Sequence, residues 1–164
     1  MSNERTDLNF LELIHRHQSI LHKICFAYCN KRSDREDLQQ EIVLQLWKSY
    51  PSFQGKSQFS TWMYRVALNT AINRISKSGL LIESDKTPEM AYDPGDAYEL
   101  SEEIRILHQA IARLKKVEKA IILMWLEEHS YEEIAETIGI TVKNVSVRLV
   151  RAKSKLAEII QKLQ

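Results

Sequence analysis

An all-α fold is what three features of this sequence predict. Only four Gly and three Pro occur in 164 residues, and long stretches lack both, which favours helices over a sheet that needs many tight turns. Apolar residues recur at three- and four-residue spacing along most of the chain, the pattern of one buried helix face. The balance of 44% apolar and 27% charged residues is that of a soluble globular protein and excludes a wholly disordered one. No apolar run reaches the length of a membrane span, and the first residues, MSNERTDLNF, hold no apolar signal core. The expectation is a cytoplasmic chain with no direct membrane insertion, long enough for one ordinary domain or two small ones.

The first helix is expected from about Phe10 to Cys29, with Leu21, Ile24 and Tyr28 on its core stripe. His22, Cys25 and Cys29 could share one side and supply three metal ligands. The same positions continue the core stripe, and Cys is commonly just buried, so no metal and no cofactor is expected. Two Cys four residues apart make no disulfide framework, which fits a reducing compartment. After NKRS, the segment DREDLQQEIVLQLWKSY is a second helix with Leu38, Ile42, Val43, Leu46 and Trp47 in the core. Asp37, Gln40, Glu41 and Gln45 fall on its other side. Pro51 and Gly55 break the pattern, and FSTWMYRVALNTAINRISK begins a third helix capped by Ser60 or Thr61. Its polar residues Arg65, Asn69, Asn73 and Lys77 lie four apart as one stripe of donors. Phe53, Phe59, Trp62 and Tyr64 cluster around its start, and aromatics beside cations there suit stacking on unpaired bases. Each aromatic taken singly is more often core, and Trp62 is expected to be packed.

Net charge is only +1, but its distribution is uneven. Residues 1–78 hold 11 bases and 7 acids, residues 79–102 hold 1 and 7, and residues 103–164 hold 11 and 8. The acidic strip GLLIESDKTPEMAYDPGDAYELSE also contains two of the four Gly and two of the three Pro. It reads as a flexible linker between two small helical domains, 1–78 and 103–164.

In the second domain, Ile104, Leu107, Ile111, Leu114, Ile121, Ile122 and Leu126 follow helix spacing. Ser130 and Glu133 have the spacing of a capping box, so a helix should run from Tyr131 to about Thr137. Gly139 supplies the positive φ of a tight turn, and Thr141 can cap a second helix. The stripe Val142, Val145, Leu149, Ala152, Leu156, Ile160 and Leu163 faces back onto the domain, while Lys143, Asn144, Val147, Val150, Arg151 and Ser154 point away. Two short helices, a Gly turn and the small Ala135 make a helix-turn-helix pattern. Charge polarity favours DNA over a merely solvated face: residues 127–136 hold five acids and no Lys or Arg, residues 138–164 six bases and one acid. A helix entering the major groove meets phosphates with cations. Asn144, Arg148 and Arg151 can hydrogen-bond base edges there, and Val147 and Val150 can meet thymine methyls.

DLQQE followed by IVLQLW, then FSTWMYRVALNTAI, then SYEEIAETIGITVKNVSVRLVRAKSKL, in that order around an acidic linker, resemble the extracytoplasmic-function (ECF) group of bacterial sigma factors. The resemblance covers about Phe10 to Leu163. It implies two helical domains, sigma region 2 and region 4, that bring core RNA polymerase to a promoter, commonly under the control of an anti-sigma factor. By position it implies that Asp37, Leu38, Gln40, Glu41 and Gln45 dock on the clamp helices of the largest polymerase subunit. Ile121 to Leu126 match the segment that meets the flap tip of the second-largest. Lys56, Gln58, Phe59, Ser60, Thr61 and Trp62, then Arg65, Asn69, Asn73, Arg74 and Lys77, match the part that melts and reads the minus-ten element. Thr141, Lys143, Asn144, Ser146 and Val147, then Arg148, Val150, Arg151 and Lys153, match the reader of the minus-thirty-five duplex. Leu68 stands where many members carry Arg, Lys115 where a Pro is common, and Arg148 where generic helix-turn-helix proteins carry a small residue.

No Gly-rich phosphate loop, nucleophile motif or paired-carboxylate arrangement occurs, so neither an enzyme nor a small-molecule substrate is expected. The rival reading is a helix-turn-helix regulator that binds an operator without joining polymerase; such a protein has no need of DLQQE and FSTWMYR together. The two promoter elements lie about 25 base pairs apart, roughly 85 Å of duplex. The 24 residues of the strip reach about 80 Å when extended, enough once the widths of two domains are added.

Overall fold

The computed structural model describes residues 2–77 and 101–164. Among these residues there are eight α-helices, one 3-10 turn and no strand. The first bundle is α1 (Ser2–Arg16), α2 (Gln18–Tyr28), α3 (Arg32–Ser49), the 3-10 turn Tyr50–Ser52 and α4 (Phe59–Lys77). The second is α5 (Glu102–Ala112), α6 (Lys116–Leu126), α7 (Tyr131–Ile138) and α8 (Val142–Leu163). No described helix is long and apolar enough to cross a membrane. The acidic strip lies outside the described residues, except that Ser101 accepts the Ile104 amide as N-cap and Glu102 begins α5.

The single helix expected over Phe10–Cys29 is two helices. His17 leaves helical dihedrals at φ −106° and ψ 21°, its amide still donating to the Leu13 carbonyl while its own carbonyl accepts the Ile20 amide three residues on, and no Gly or Pro marks the break. Its cause is tertiary: Phe10 packs on Trp47 and Tyr50 with ring centres 5.1 Å away in each case, and the His17 ring meets Phe59 at 5.5 Å. Between α2 and α3, the nearly buried Arg35 donates to the carbonyls of Cys29 and Asn30 and lies over the Phe26 ring. A guanidinium thus satisfies carbonyls that the end of α2 leaves without helical partners. Leu38, Ile42 and Leu46 of α3 are fully buried, as are Met63, Ala67 and Ala71 of α4. Trp47 departs from the expected core stripe: it is 42% exposed and meets the bundle in a T-shaped contact with Phe10. The expected cap of α4 also differs. The helix already includes Phe59, and Ser60 and Thr61 sit in its first turn.

The second bundle follows its local signals closely. Ser130 accepts the Glu133 amide at 3.1 Å while Glu133 accepts the Ser130 amide at 3.4 Å. Gly139 ends α7 at φ 82°, and Thr141 accepts the Asn144 amide at 3.1 Å to start α8. Val145, Leu149, Ala152 and Leu156 are buried as expected, whereas Val142 is 40% exposed. Lys155 pairs with Glu118, tying α8 to α6.

The two bundles touch. α2 packs on α5 and α6, and α4 packs on α6 and α7, so one buried apolar cluster runs through both. Tyr28 donates its hydroxyl to the Lys116 carbonyl at 2.6 Å, and the half-buried Lys119 ammonium lies over the Tyr28 ring. Lys23 pairs with Glu127, and Lys116 donates to the Ser76 hydroxyl.

Candidate nucleic-acid interface

The start of α4 is built on aromatic packing. Trp62 lies 5.1 Å from Phe53 and 5.4 Å from Phe59 between ring centres, and Phe53 and Phe59 meet edge to face at 5.8 Å. Tyr50, which sequence reasoning left out, completes the group against Phe53 and Trp62. Tyr64 does not belong to it. Two residues beyond Trp62 it points to the opposite side of the helix, is 1% exposed, and meets the His129 ring of the second bundle at 5.1 Å. Phe59 is buried and braces the cluster, which leaves the half-buried Tyr50, Phe53 and Trp62 as the rings a base can reach. Lys56 and Gln58 flank them in the open, and Ser60 is half-buried.

Along α4 the expected donor stripe is divided. Asn69 and Asn73 are exposed. Arg65 pairs with Glu136 of α7 at 3.3 Å, and Thr61, 6% exposed, donates to Glu133 of α7 at 3.2 Å. Arg74 pairs with Glu41 at 3.3 Å and Asp37 at 4.0 Å, on α3. Lys77 ends the helix. Leu68 is fully inside the core, so in this chain that position offers nothing to a phosphate.

On α8 the outward side is intact. Lys143, Asn144, Val147, Arg148, Val150 and Arg151 are all exposed, Val150 at 60%. Ser146 is half-buried, and Thr141 is occupied as the N-cap. Lys153 is exposed, with its ammonium 4.9 Å over the Trp125 ring. Four cations, one amide and two apolar side chains on a single helix face can reach phosphates, base edges and methyl groups together.

A third surface lies on α3. Asp37 and Gln40 are exposed, and Glu41 and Gln45 half-buried. Leu38 is withdrawn from it: fully buried, it anchors the helix and has no surface to offer a partner. Leu44 and Trp47, 48% and 42% exposed, extend the same strip as an apolar patch that sequence reasoning did not place there. On α6, Ile121, Ile122, Leu123 and Met124 are likewise buried, and only Leu126 and part of Trp125 remain outside.

His22 is exposed while Cys25 is buried, so these side chains do not converge with Cys29. Among the described residues no group of three His, Cys, Asp or Glu could hold a metal. Burial pushes the Cys25 thiol up to about 12 and raises Cys29 as well. Burial lowers the Lys119 ammonium to about 8, with the Cys29 thiol opposing weakly. Burial alone would raise Glu133; hydrogen bonds to His129, Ser130 and Thr61 outweigh it and hold the carboxyl below its ordinary value.

Comparison with known proteins places these surfaces in a family context. Residues 13–80 match sigma-70 region 2 and residues 104–156 match sigma-70 region 4. The ECF RNA polymerase sigma-E factor of Haemophilus influenzae is 33% identical over 165 residues, spanning 92% of this chain and 87% of that protein. The ECF RNA polymerase sigma factor SigW of Bacillus subtilis is 27% identical over 169 residues, spanning 94% and 90%. In fold, the chain is similar to the sigma factor RpoE solved with the anti-sigma factor NepR from Bartonella quintana. That likeness has a TM-score of 0.74 at 22% identity, over 93% of this chain and 97% of that one.

Proposed function

The chain belongs to the extracytoplasmic-function group of the sigma-70 family, and from that membership we propose that it is an RNA polymerase sigma factor working in the cytoplasm. It binds core polymerase, carries it to promoter DNA and opens the duplex for initiation; the chemistry of RNA synthesis belongs to the polymerase, and this chain supplies recognition. Residues 1–78 act as region 2, 79–102 as the linker and 103–164 as region 4. An anti-sigma factor holds it inactive until a signal arrives, as the solved complex of the similar RpoE with NepR suggests.

The observation that carries this reading is the presence of three unlike surfaces on one small chain. The acidic and amide strip of α3, with Leu44 and Trp47 beside it, suits a partner protein with a basic and apolar docking surface. The ring cluster at the start of α4 suits unpaired bases: extruding a base from duplex costs a few kcal/mol, which stacking on Trp62 and Phe53 and donors such as Asn69 offset. The exposed α8 face suits duplex, Lys143 and Arg148 at phosphates and Asn144 and Arg151 at base edges. An operator-binding regulator would use only the last of these.

Adding the purified chain to sigma-free core polymerase is the decisive experiment. Promoter-specific transcripts that depend on the chain are expected. Tight duplex binding with no polymerase-dependent initiation would instead establish the operator-binding alternative.

A further inference from the structure

Where α5 meets α2 and α6, the side chains leave space between them. A cleft of about 250 Å³ lies there, walled by Phe26 of α2, Leu107 and Ile111 of α5 and Leu123 of α6, with Tyr64 of α4 also lining it. Ile104 and Leu126, each 42% exposed, stand at its rim. Tyr64 is the ring that helical spacing grouped with the base-stacking aromatics and that the fold turns the other way. Its hydroxyl is buried and has no hydrogen-bond partner. Burial first, then the nearby Glu127 carboxylate drawing on its proton, raise the phenol well above its ordinary range, but the approach falls short of hydrogen-bond geometry. A buried hydroxyl without a partner costs free energy that packing alone does not return. We propose that the cleft is a binding site for a small neutral molecule with an apolar body and one hydroxyl, which accepts from Tyr64 and donates to Glu127. Promoter recognition makes no use of this site, and the site does not depend on it.

Each feature of the ligand follows from the lining. Its size is bounded by the volume, which lies below the roughly 300–1,000 Å³ of sites for drug-sized molecules. Its body is apolar because the walls are: carbon atoms that face unfilled space lack contacts, and an apolar molecule restores them. Net charge is disfavoured in either sign. The Lys23 ammonium and the Glu127 carboxylate, both lining the cleft, are already paired with each other. His108 adds no charge, since burial and then the Lys23 ammonium hold its ring below the ordinary histidine pKa. An anion would therefore lie beside Glu127, and a cation beside Lys23. A hydroxyl satisfies both polar neighbours at once: Tyr64 has a proton to give, and Glu127, engaged with Lys23 through Oε1, has a second oxygen to receive one.

Calorimetric titration of the full-length chain with three probes of one shape tests this: 4-methylphenol, toluene and 4-methylbenzoate. The expected result is one 4-methylphenol per chain, bound roughly fivefold tighter than toluene, the worth of about one net hydrogen bond, with 4-methylbenzoate the weakest of the three. Tyr64→Phe removes the hydroxyl and keeps the ring. It should lower the affinity for 4-methylphenol to that for toluene and leave toluene binding unchanged. In the absence of any probe it should unfold at a denaturant concentration no lower than the natural chain, because the group it removes had no partner. Leu107→Trp should fill the cleft and abolish binding of both neutral probes, whereas Leu8→Trp, on the exposed side of α1, should not. Tyr64→Phe carries the test by itself should Leu107→Trp fail to fold. Absence of saturable binding to the natural chain would overturn the proposal, as would a preference for 4-methylphenol that survives Tyr64→Phe. A marked loss of stability in Tyr64→Phe would also overturn it, by showing that the hydroxyl is already satisfied within the protein.

Discussion

Gly139 stands alone between two amphipathic patterns, and the turn there does require a left-handed backbone, φ 82°. Residue type and place in the chain disclose that conformation by themselves. A Cβ added at this position meets nothing within 4 Å, so the cost of Gly139→Ala is conformational alone, about 1–2 kcal/mol. Denaturant unfolding should show that loss, with Gly139→Asn milder because Asn tolerates this region better than Ala. Lys119 was not legible in the same way, since its burial comes from the Tyr28 ring of the other bundle. Its ammonium, lowered to about 8 from 10.5 by burial, is protonated more readily in the unfolded chain between those values. Stability therefore rises as pH climbs above about 8. The buried thiols act in the opposite sense. Cys25 and Cys29 are raised from 9.0, so above about 9 the unfolded chain loses protons that the folded chain keeps, and stability falls again. Melting temperatures under reducing conditions should peak close to pH 9, and Lys119→Met should abolish the rising limb while leaving the falling one.

Elements were readable where their ends carry their own chemistry. α7 and α8 begin at Ser130 and Thr141, whose oxygens accept amides three residues on, and such spacing is visible in a bare sequence. The break at His17 was not, because nothing local dictates it and the rings of Trp47, Tyr50 and Phe59 decide it from elsewhere in the chain. The same distinction explains the ring cluster: helical spacing alone could not say that Tyr64 turns toward His129 or that Tyr50 replaces it. For α8, loss of the cap in Thr141→Ala should cost about 1 kcal/mol and expose the amide of Asn144 to faster hydrogen exchange. Because that first turn carries Lys143 and Asn144, duplex affinity should fall as well. Arg151→Ala leaves the helix whole, so its effect isolates recognition. A bidentate base contact predicts a loss of about 1–3 kcal/mol confined to one base pair of the minus-thirty-five element. Competition binding across single-base variants checks this, and a uniform loss would reassign Arg151 to a phosphate.

At the scale of the whole molecule, two domains were legible from the acidic strip, but their mutual packing was not, since it depends on residues 88 to 104 positions apart such as Tyr28 with Lys116 and Lys23 with Glu127. That packing has a thermodynamic consequence. When one buried cluster runs through both bundles, unfolding either bundle exposes apolar surface on the other, and the two should melt together. Tryptophan allows this to be watched from each side, because Trp47 and Trp62 lie in the first bundle and Trp125 in the second. With Trp125 as the sole tryptophan, or with Trp62 alone, denaturant midpoints should coincide. Tyr28→Phe should weaken the coupling, since it removes the hydroxyl that donates to the Lys116 carbonyl across the interface. The cost is about 0.5–1.5 kcal/mol, the net worth of one hydrogen bond, drawn from the interface and not from either core. Midpoints that separate in this variant and coincide in its parent would establish the interface as a cooperative unit. Separate midpoints in the natural background would mean that each bundle is stable on its own and that the contact between them contributes little.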